Sequence, residues 1–258
     1  MGSSGRRKRE RHANWRWYAA SGFCFLFFFV ALSSFVADIA AFRAVAWVEA
    51  WTNLVAISAA KGQAYRPADA DWNEAHTDAL LAVRLAPFNA NYHETLARVY
   101  IARQLDLGDG DPRLRPLLRL AAAEYQTSIR LRPTWPYGHL GHAYVLRREL
   151  QLDDEYEQSL GAALKYGPWE PEVLAAVVDI NIGILPTLQP TTRELVLDAL
   201  RRGQAWTEDS QGNPVPYGNQ IWRKVVARHR EMVACGWLRI DTPLLKQRCQ
   251  PQAPSAGG

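Results

Sequence analysis

The chain has 258 residues, of which 48% are hydrophobic, and this is enough for one or two domains with a hydrophobic core. The formal net charge is +4, but six of the 30 basic residues lie in positions 1–17, and the rest of the chain is close to neutral. This distribution argues against the broad basic surface of a nucleic-acid-binding protein, so we expect no nucleic-acid partner.

An apolar run from Tyr18 to Phe42, with Asp38 as its only charge, follows the basic tail of residues 1–17. A helix of this length rises about 1.5 Å per residue and can cross a hydrocarbon core of roughly 30 Å. Aromatic residues flank both ends, as in the belts at membrane interfaces; they are Trp15, Trp17, Trp47 and Trp51. Because basic residues before a span favour a cytoplasmic N-terminus, the sequence predicts a single-pass anchor with the C-terminal domain outside the cytoplasm. In a Gram-negative bacterium this is an inner-membrane anchor with a periplasmic domain.

A cleaved signal peptide is the alternative interpretation of this segment. Its apolar core would be Phe23–Val36, with a conceivable cleavage site at Ala44–Ala46. That site lies late and directly follows Arg43, so we favour an uncleaved anchor. The adjoining basic tail also argues against a buried core helix.

Helical periodicity dominates the rest of the chain, so the fold class that we expect is all-α after a single transmembrane helix. Residues 43–69 read as a helical stalk, reaching about Ala60, and a linker broken by Gly62 and Pro67. Residues 70–203 read as helical repeats, and residues 204–258 as a C-terminal helix and tail.

Three helix-like segments end at a proline, at Pro87, Pro133 and Pro168, and another helix follows each of them. Small or apolar residues recur at fixed distances before each proline. Proline ends a helix because it has no backbone N–H, and small residues let two helices approach closely. The packing residues expected on the helices that follow Pro87 and Pro133 include Leu96, Ala97 and Tyr100, and then Leu140, Gly141 and Tyr144.

This pattern resembles the tetratricopeptide repeat, which pairs a Leu-Gly step and a Tyr on one helix with small residues and a terminal Pro on the next. The proline spacings are 46 and 35 residues, against about 34 in the repeat. A Gly- and Asp-rich insertion, Leu105–Pro116, accounts for the longer spacing. The resemblance implies binding on a concave surface built from the first helix of each pair. The candidate partner-binding residues are Tyr92, His93, Arg98, Arg103, Tyr137, His139 and Arg147.

Two further helices are predicted after the repeats. Thr191 and Glu194 have the spacing of a capping box before a helix over Thr192–Arg202, and Gly203 follows its expected end. After a loop rich in Gly and Pro, a last helix is expected from about Gln220 to Ala234.

No arrangement typical of an enzyme stands out. The chain has no phosphate-binding glycine loop, nucleophile elbow or metalloprotease helix. His139 and His142 are three residues apart, a spacing that metal sites use, but an ordinary helix surface explains them better. Asp106–Asp111 resembles part of a calcium loop without the terminal Glu, so we read it as a turn. We therefore expect a non-enzymatic protein without metal or cofactor.

The cysteines predict one disulfide. Cys24 lies in the apolar span, whereas Cys235 and Cys249 lie on the side that is expected to be exported, where oxidation is permitted. Only one intramolecular pairing exists between these two. The alternative is a pair of free thiols.

The overall layout resembles the VpsP-type polysaccharide-biosynthesis proteins, which are membrane-anchored tetratricopeptide proteins. The motif residues are Trp72, Ala75, Leu85, Pro87, Asn89, Tyr92, His93, Glu94, Leu96, Ala97, Arg98 and Tyr100. The resemblance implies an accessory scaffold that binds envelope proteins of polysaccharide assembly or export, and it transfers no catalytic residue. The alternatives are an assembly factor for cytochrome maturation, secretion or pilus biogenesis, and an enzyme that acts on envelope glycan.

Overall fold

The structure, a computed structural model, describes residues 4–205, 216–238, 246, 248 and 249. Ten α-helices and two short 3₁₀ helices make up the regular secondary structure of these residues, with no strand among them, which confirms the predicted all-α class. The chain forms two compact units, residues 1–103 and residues 104–258. The boundary between the units lies inside the predicted repeat region.

The first unit contains α1 (Ser4–Ala60), α2 (Asp69–Leu85) and α3 (Ala90–Ala102). The second unit contains α4 (Arg115–Leu131), α5 (Pro136–Glu149), α6 (Asp154–Tyr166), α7 (Pro171–Asn181), α8 (Pro190–Ala205), α9 (Pro216–Ala227) and α10 (Glu231–Trp237). Its 3₁₀ helices are Pro112–Leu114 and Ile182–Thr187.

Helix α1 contains the candidate membrane span. Its Ala20–Ala60 part has a mean hydropathy of 2.2 and is long and apolar enough to cross a membrane. Residues 20–36 are exposed except for the half-buried Ser33. The predicted extension to Ala60 is confirmed, and Gly62 turns the chain after it with a φ of 67°.

Helix α1 packs on α2 and α3 through small residues, which let the backbones approach closely. Ala37, Ala40, Ala41 and Ala44 are buried on this face. Polar contacts accompany them: the Tyr92 hydroxyl donates to Asp38, and Arg43 forms ion pairs with Glu74 and Asp78. The predicted span, residues 18–42, thus includes positions that are packed inside the first unit.

The three predicted proline turns share one geometry. The residue before each proline, Ala86, Arg132 or Gly167, donates its N–H to the carbonyl four residues earlier. The carbonyl of the same residue accepts from the N–H three residues later. Pro87, Pro133 and Pro168 therefore end three helices in the same way, which confirms the turn at each position. Assignment of the units to the tetratricopeptide family stays a prediction.

In the second unit, each of the helices α5, α6 and α7 packs on the next two helices in chain order. Its core is one apolar cluster that includes Tyr156, Leu160, Leu174, Leu197 and Leu200. Prolines at the starts of α5 and α7, and the Asp153 cap of α6, set the first turns of these helices.

The insertion before α4 is held by two arginines of α5. Asp109 accepts from Arg147 at 3.0 Å and forms an ion pair with Arg148 at 3.0 Å. Arg148 also donates to the Leu107 carbonyl at 2.9 Å, and its own carbonyl accepts from Gly110 at 2.8 Å. The Asp106–Asp111 segment is thus an ordered turn whose Asp109 is neutralised by protein cations.

The helix predicted over Thr192–Arg202 is present as α8, but the caps predicted for it are wrong, and so is the single last helix. Helix α8 begins at Pro190 and continues to Ala205, so Thr191 and Gly203 lie inside it. The Thr191 hydroxyl donates to Glu157 and Glu194 pairs with Arg201, so no capping box forms. The expected single helix over Gln220–Ala234 is two helices, α9 and α10. They are separated at residues 228–230, where His229 has a φ of 51°.

Cys235 of α10 and Cys249 form a disulfide with their Cα atoms 5.5 Å apart, which confirms the predicted pairing. The neighbouring Arg248 donates to Gln204 of α8, and its guanidinium lies 5.3 Å from the ring centre of Trp222 of α9. The bridge ties Cys249 to α10, and the Arg248 side chain contacts α8 and α9. The compartment in which it forms stays a prediction.

Candidate partner-binding groove

An open groove of about 460 Å³ runs across α4, α5 and α6 of the second unit. Most of its lining side chains carry hydrogen-bonding groups. They are Gln126, Ile129 and Arg130 of α4, His139 and His142 of α5, and Glu155, Gln158, Ser159 and Ala162 of α6.

Close packing of α4 on α5 shapes the groove. Gly141 faces the Tyr125 ring so closely that a Cβ at this position would overlap it. This approach brings the adjacent His142 to 3.4 Å from the Gln126 amide nitrogen. The Leu-Gly step predicted from the sequence thus determines how far apart the polar side chains of the two helices lie.

His142 forms the floor of the groove. The Nδ1 atom lies 2.9 Å from Ser159 Oγ, and the Nε2 atom lies 3.7 Å from the Glu155 carboxylate. Burial lowers the pKa of His142 below its ordinary value, the Glu155 carboxylate opposes this shift, and His139 adds to it. The ring is therefore neutral at physiological pH, and it can both donate and accept a hydrogen bond.

Ser159, His142 and Glu155 have the composition of a nucleophile with a base and an acid, but their setting does not suit acyl transfer. Ser159 is buried inside α6. Backbone N–H groups at this depth in a helix bond to carbonyls four residues earlier and cannot stabilise an oxyanion. The His142–Ser159 contact instead joins α5 to α6.

The predicted partner-binding residues of the first unit are mostly held by intramolecular contacts. Tyr92 and His93 are buried; the Tyr92 hydroxyl binds Asp38 and the His93 Nε2 lies 2.9 Å from the Pro87 carbonyl. Arg103 pairs with Asp69 at 2.7 Å, whereas Arg98 is exposed.

The predicted residues of the second unit are also engaged. Tyr137 donates to Glu172 at 3.0 Å, and burial together with this bond raises the Tyr137 pKa to about 12. Arg147 is buried against Asp109. His139 lines the groove, and its Nε2 lies 2.8 Å from the Pro133 carbonyl.

His93 and His139 have equivalent structural roles. Each histidine lies six residues after a turn proline and bonds to that proline's carbonyl through Nε2. In the third turn, Arg202 donates to the Pro168 carbonyl at 3.3 Å instead. The histidines that the sequence suggested for partner binding therefore stabilise the repeated turn. Their role in binding stays a prediction.

Sequence reasoning missed the α4 and α6 residues of the groove, because it assigned binding to the first helix of each pair. The missed polar residues are Gln126, Arg130, Glu155, Gln158 and Ser159. Their spacing of three or four residues along each helix was the available signal. Among the described residues, no group of three or more His, Cys, Asp or Glu side chains could hold a metal ion.

The motif residues of the first unit build the α2–α3 hairpin. Trp72 donates to the Val99 carbonyl at 2.8 Å and stacks on His76, with ring centres 4.7 Å apart. Asn89 caps α3 by accepting from the Asn91 N–H at 3.1 Å.

A comparison of the chain with models of known families, with curated proteins and with solved structures finds no match. Both family resemblances therefore stay predictions.

Proposed function

We propose that the chain is a non-enzymatic scaffold, anchored in the bacterial inner membrane by α1, whose periplasmic helical units hold protein partners of surface-polysaccharide assembly or export. The observation that carries this proposal is the open groove to which three consecutive helices contribute hydrogen-bonding side chains. The length and hydropathy of α1 support the anchor. The motif resemblance over residues 72–100 supports the link to polysaccharide.

The groove suits an extended peptide segment of a partner. Gln126 and Gln158 are exposed on opposite walls, and each amide offers donors and an acceptor that match a peptide backbone. Arg130 and Glu155 contribute opposite charges. This balance favours main-chain hydrogen bonding over attraction of a highly charged ligand.

Photocrosslinking in intact membranes tests the proposal. A photoreactive amino acid replaces Gln158 in the full chain, and the control replaces Arg223, an exposed residue of α9 outside the groove. We expect discrete crosslinked partners from position 158 that are absent from position 223, and their identification by mass spectrometry names the assembly.

The outcomes separate the possible functions. Glycosyltransferases, a chain-length regulator or a polymerase as partners support the polysaccharide assignment. If the partners are instead proteins of cytochrome maturation, secretion or pilus assembly, the polysaccharide assignment is wrong and the scaffold function still holds. If positions 158 and 223 give the same products, or neither gives any, the groove is not the binding site.

A further inference from the structure

The loop between α2 and α3 presents an unusually exposed aromatic side chain. Phe88 is 86% exposed, the highest value among the eight phenylalanines of the chain. The other seven lie on α1, in or beside its exposed apolar stretch. An exposed phenylalanine at a loop tip has no role in the core of its own unit, so its surroundings depend on where the loop lies.

The contacts of α1 with α2 place this loop at the end of the apolar stretch. Arg43 pairs with Glu74 and Asp78, whereas Ala37, Ala40 and Ala41 cluster with Ala82 further along α2. Residue numbers on α2 therefore rise as those on α1 fall, so the two helices are antiparallel. Because a helix rises about 1.5 Å per residue, Ala86 lies about 6 Å beyond Ala82 towards the N-terminus of α1.

This register aligns the loop with the last turn of the exposed apolar stretch of α1. Ala82 clusters with Ala37–Ala41, so Ala86, four residues later on the antiparallel helix, lies beside positions 33–37 of α1. In that range Phe35 is 61% exposed and Val36 is 39% exposed. The start of α3 lies at the same height along α1, because Tyr92 donates to Asp38. The loop therefore lies beside the part of α1 where the exposed apolar residues end and the residues packed on α2 and α3 begin.

The backbone of the loop is suited to a poorly hydrated environment. Pro87 has no N–H, and its carbonyl is bonded by His93 at 2.9 Å. The Ala86 N–H bonds to Ala82, and the Ala86 carbonyl accepts from Asn89 at 3.1 Å. Unsatisfied backbone groups exclude most loops from the membrane, and here the Ala86 N–H and the carbonyls of Ala86 and Pro87 are already paired.

We propose that the Ala86–Asn89 loop is a second membrane contact, in which Phe88 inserts into the acyl–headgroup boundary beside the end of the α1 span. This inference rests on the part of the proposed function in which α1 crosses the bilayer. Phe is among the residues that segments lying at the membrane interface bury at this boundary. Arg84, exposed in the last turn of α2, lies four residues before Phe88 and offers a long cationic side chain for lipid phosphates. The contact would hold the first unit against the membrane surface.

Depth-dependent fluorescence quenching of the full chain tests the proposal. In a Cys24→Ser background, single cysteines replace Phe88, Phe27 in the middle of the exposed stretch, or Gln63 in the turn after α1. Each is labelled without reductant with the environment-sensitive fluorophore NBD, and the chain without an added cysteine reports background labelling. The proteins are reconstituted in vesicles of phosphatidylethanolamine and phosphatidylglycerol that contain nitroxide lipids, with the nitroxide either near the headgroup or deep in the acyl chain.

We expect the label at position 88 to be quenched most by the shallow nitroxide and the label at position 27 most by the deep one. The label at position 63 should respond to neither, because the rise of α1 from Ala37 to Ala60 carries it about 35 Å away. If position 27 is quenched but position 88 behaves like position 63, the loop lies in water or on a protein, and the inference is overturned while the anchor stands. If position 27 is not quenched, the anchor itself fails, and the loop contact fails with it.

Discussion

Replacing Gly141 with alanine tests whether α4 and α5 touch at a position that admits no side chain. A glycine inside a helix ordinarily gains about 0.5–1 kcal/mol of stability when it becomes alanine. At Gly141 the new Cβ would overlap the ring of the buried Tyr125. Overpacking of this kind costs about 1–3 kcal/mol. We therefore expect a net loss of up to about 2.5 kcal/mol for Gly141→Ala, and a loss of about 1–3 kcal/mol for the larger Gly141→Leu.

Gly161 of α6 provides the matched control in the same unit. A Cβ at this position would meet Leu195 Cδ1 at 3.8 Å, which is an ordinary van der Waals contact. Gly161→Ala should therefore raise the free energy of unfolding by about 0.5–1 kcal/mol. Glycine-to-alanine substitution is thus expected to lower the free energy of unfolding at Gly141 and to raise it at Gly161.

Urea unfolding of the detergent-solubilised full chain, followed by tryptophan fluorescence and circular dichroism, measures both variants. Tyr125→Val removes the ring and should abolish the penalty of Gly141→Ala, so the double-mutant cycle yields a coupling energy of about 0.5–3 kcal/mol. If Gly141→Ala stabilises the chain as Gly161→Ala does, the close contact between α4 and α5 is refuted.

A reporter that is active only outside the cytoplasm, fused after Gly258, should be active because basic residues precede the span; an inactive but stable fusion would contradict the orientation. Cys235 and Cys249 should alkylate only after reduction, as read by mass spectrometry, and replacing both with alanine should cost about 3 kcal/mol in the chain-entropy treatment. Since burial lowers the His142 pKa below its ordinary value of 6.5, stability should be highest above that pH and fall as the pH drops towards the lowered pKa. His142→Gln should make this fall shallower in urea unfolding between about pH 7.5 and about pH 5, and equal slopes would argue against a buried neutral ring.

Local sequence patterns predicted much of the fold. The apolar run and its continuation to Ala60, and the ends of α2, α4 and α6 before their prolines, follow from hydropathy and from the missing proline N–H. The Cys235–Cys249 pairing followed from counting the cysteines outside the span. Each of these features depends on a few neighbouring residues, or on so few candidates that one choice remains.

Local capping signals were misleading where the same residue interacts with a side chain that is distant in sequence. Thr191 and Glu194 have the spacing of a capping box, but Glu157 of α6 accepts from Thr191 and Arg201 pairs with Glu194. Gly203 resembles a helix end, yet it lies inside α8, where a Cβ would overlap Ile221 of α9. Glycine serves both close packing and helix termination, and a single sequence does not separate the two uses.

The groove and the position of the Ala86–Asn89 loop beside α1 depend on tertiary packing. His142 meets Ser159 and Gln126 because α5 packs between α4 and α6, and Tyr92 meets Asp38, 54 residues away, because α3 starts beside that turn of α1. Hydropathy determines that these helices form, but it does not encode the register at which they pack. That register sets which polar side chains come within hydrogen-bonding distance, and so it sets where a partner or a lipid can be bound.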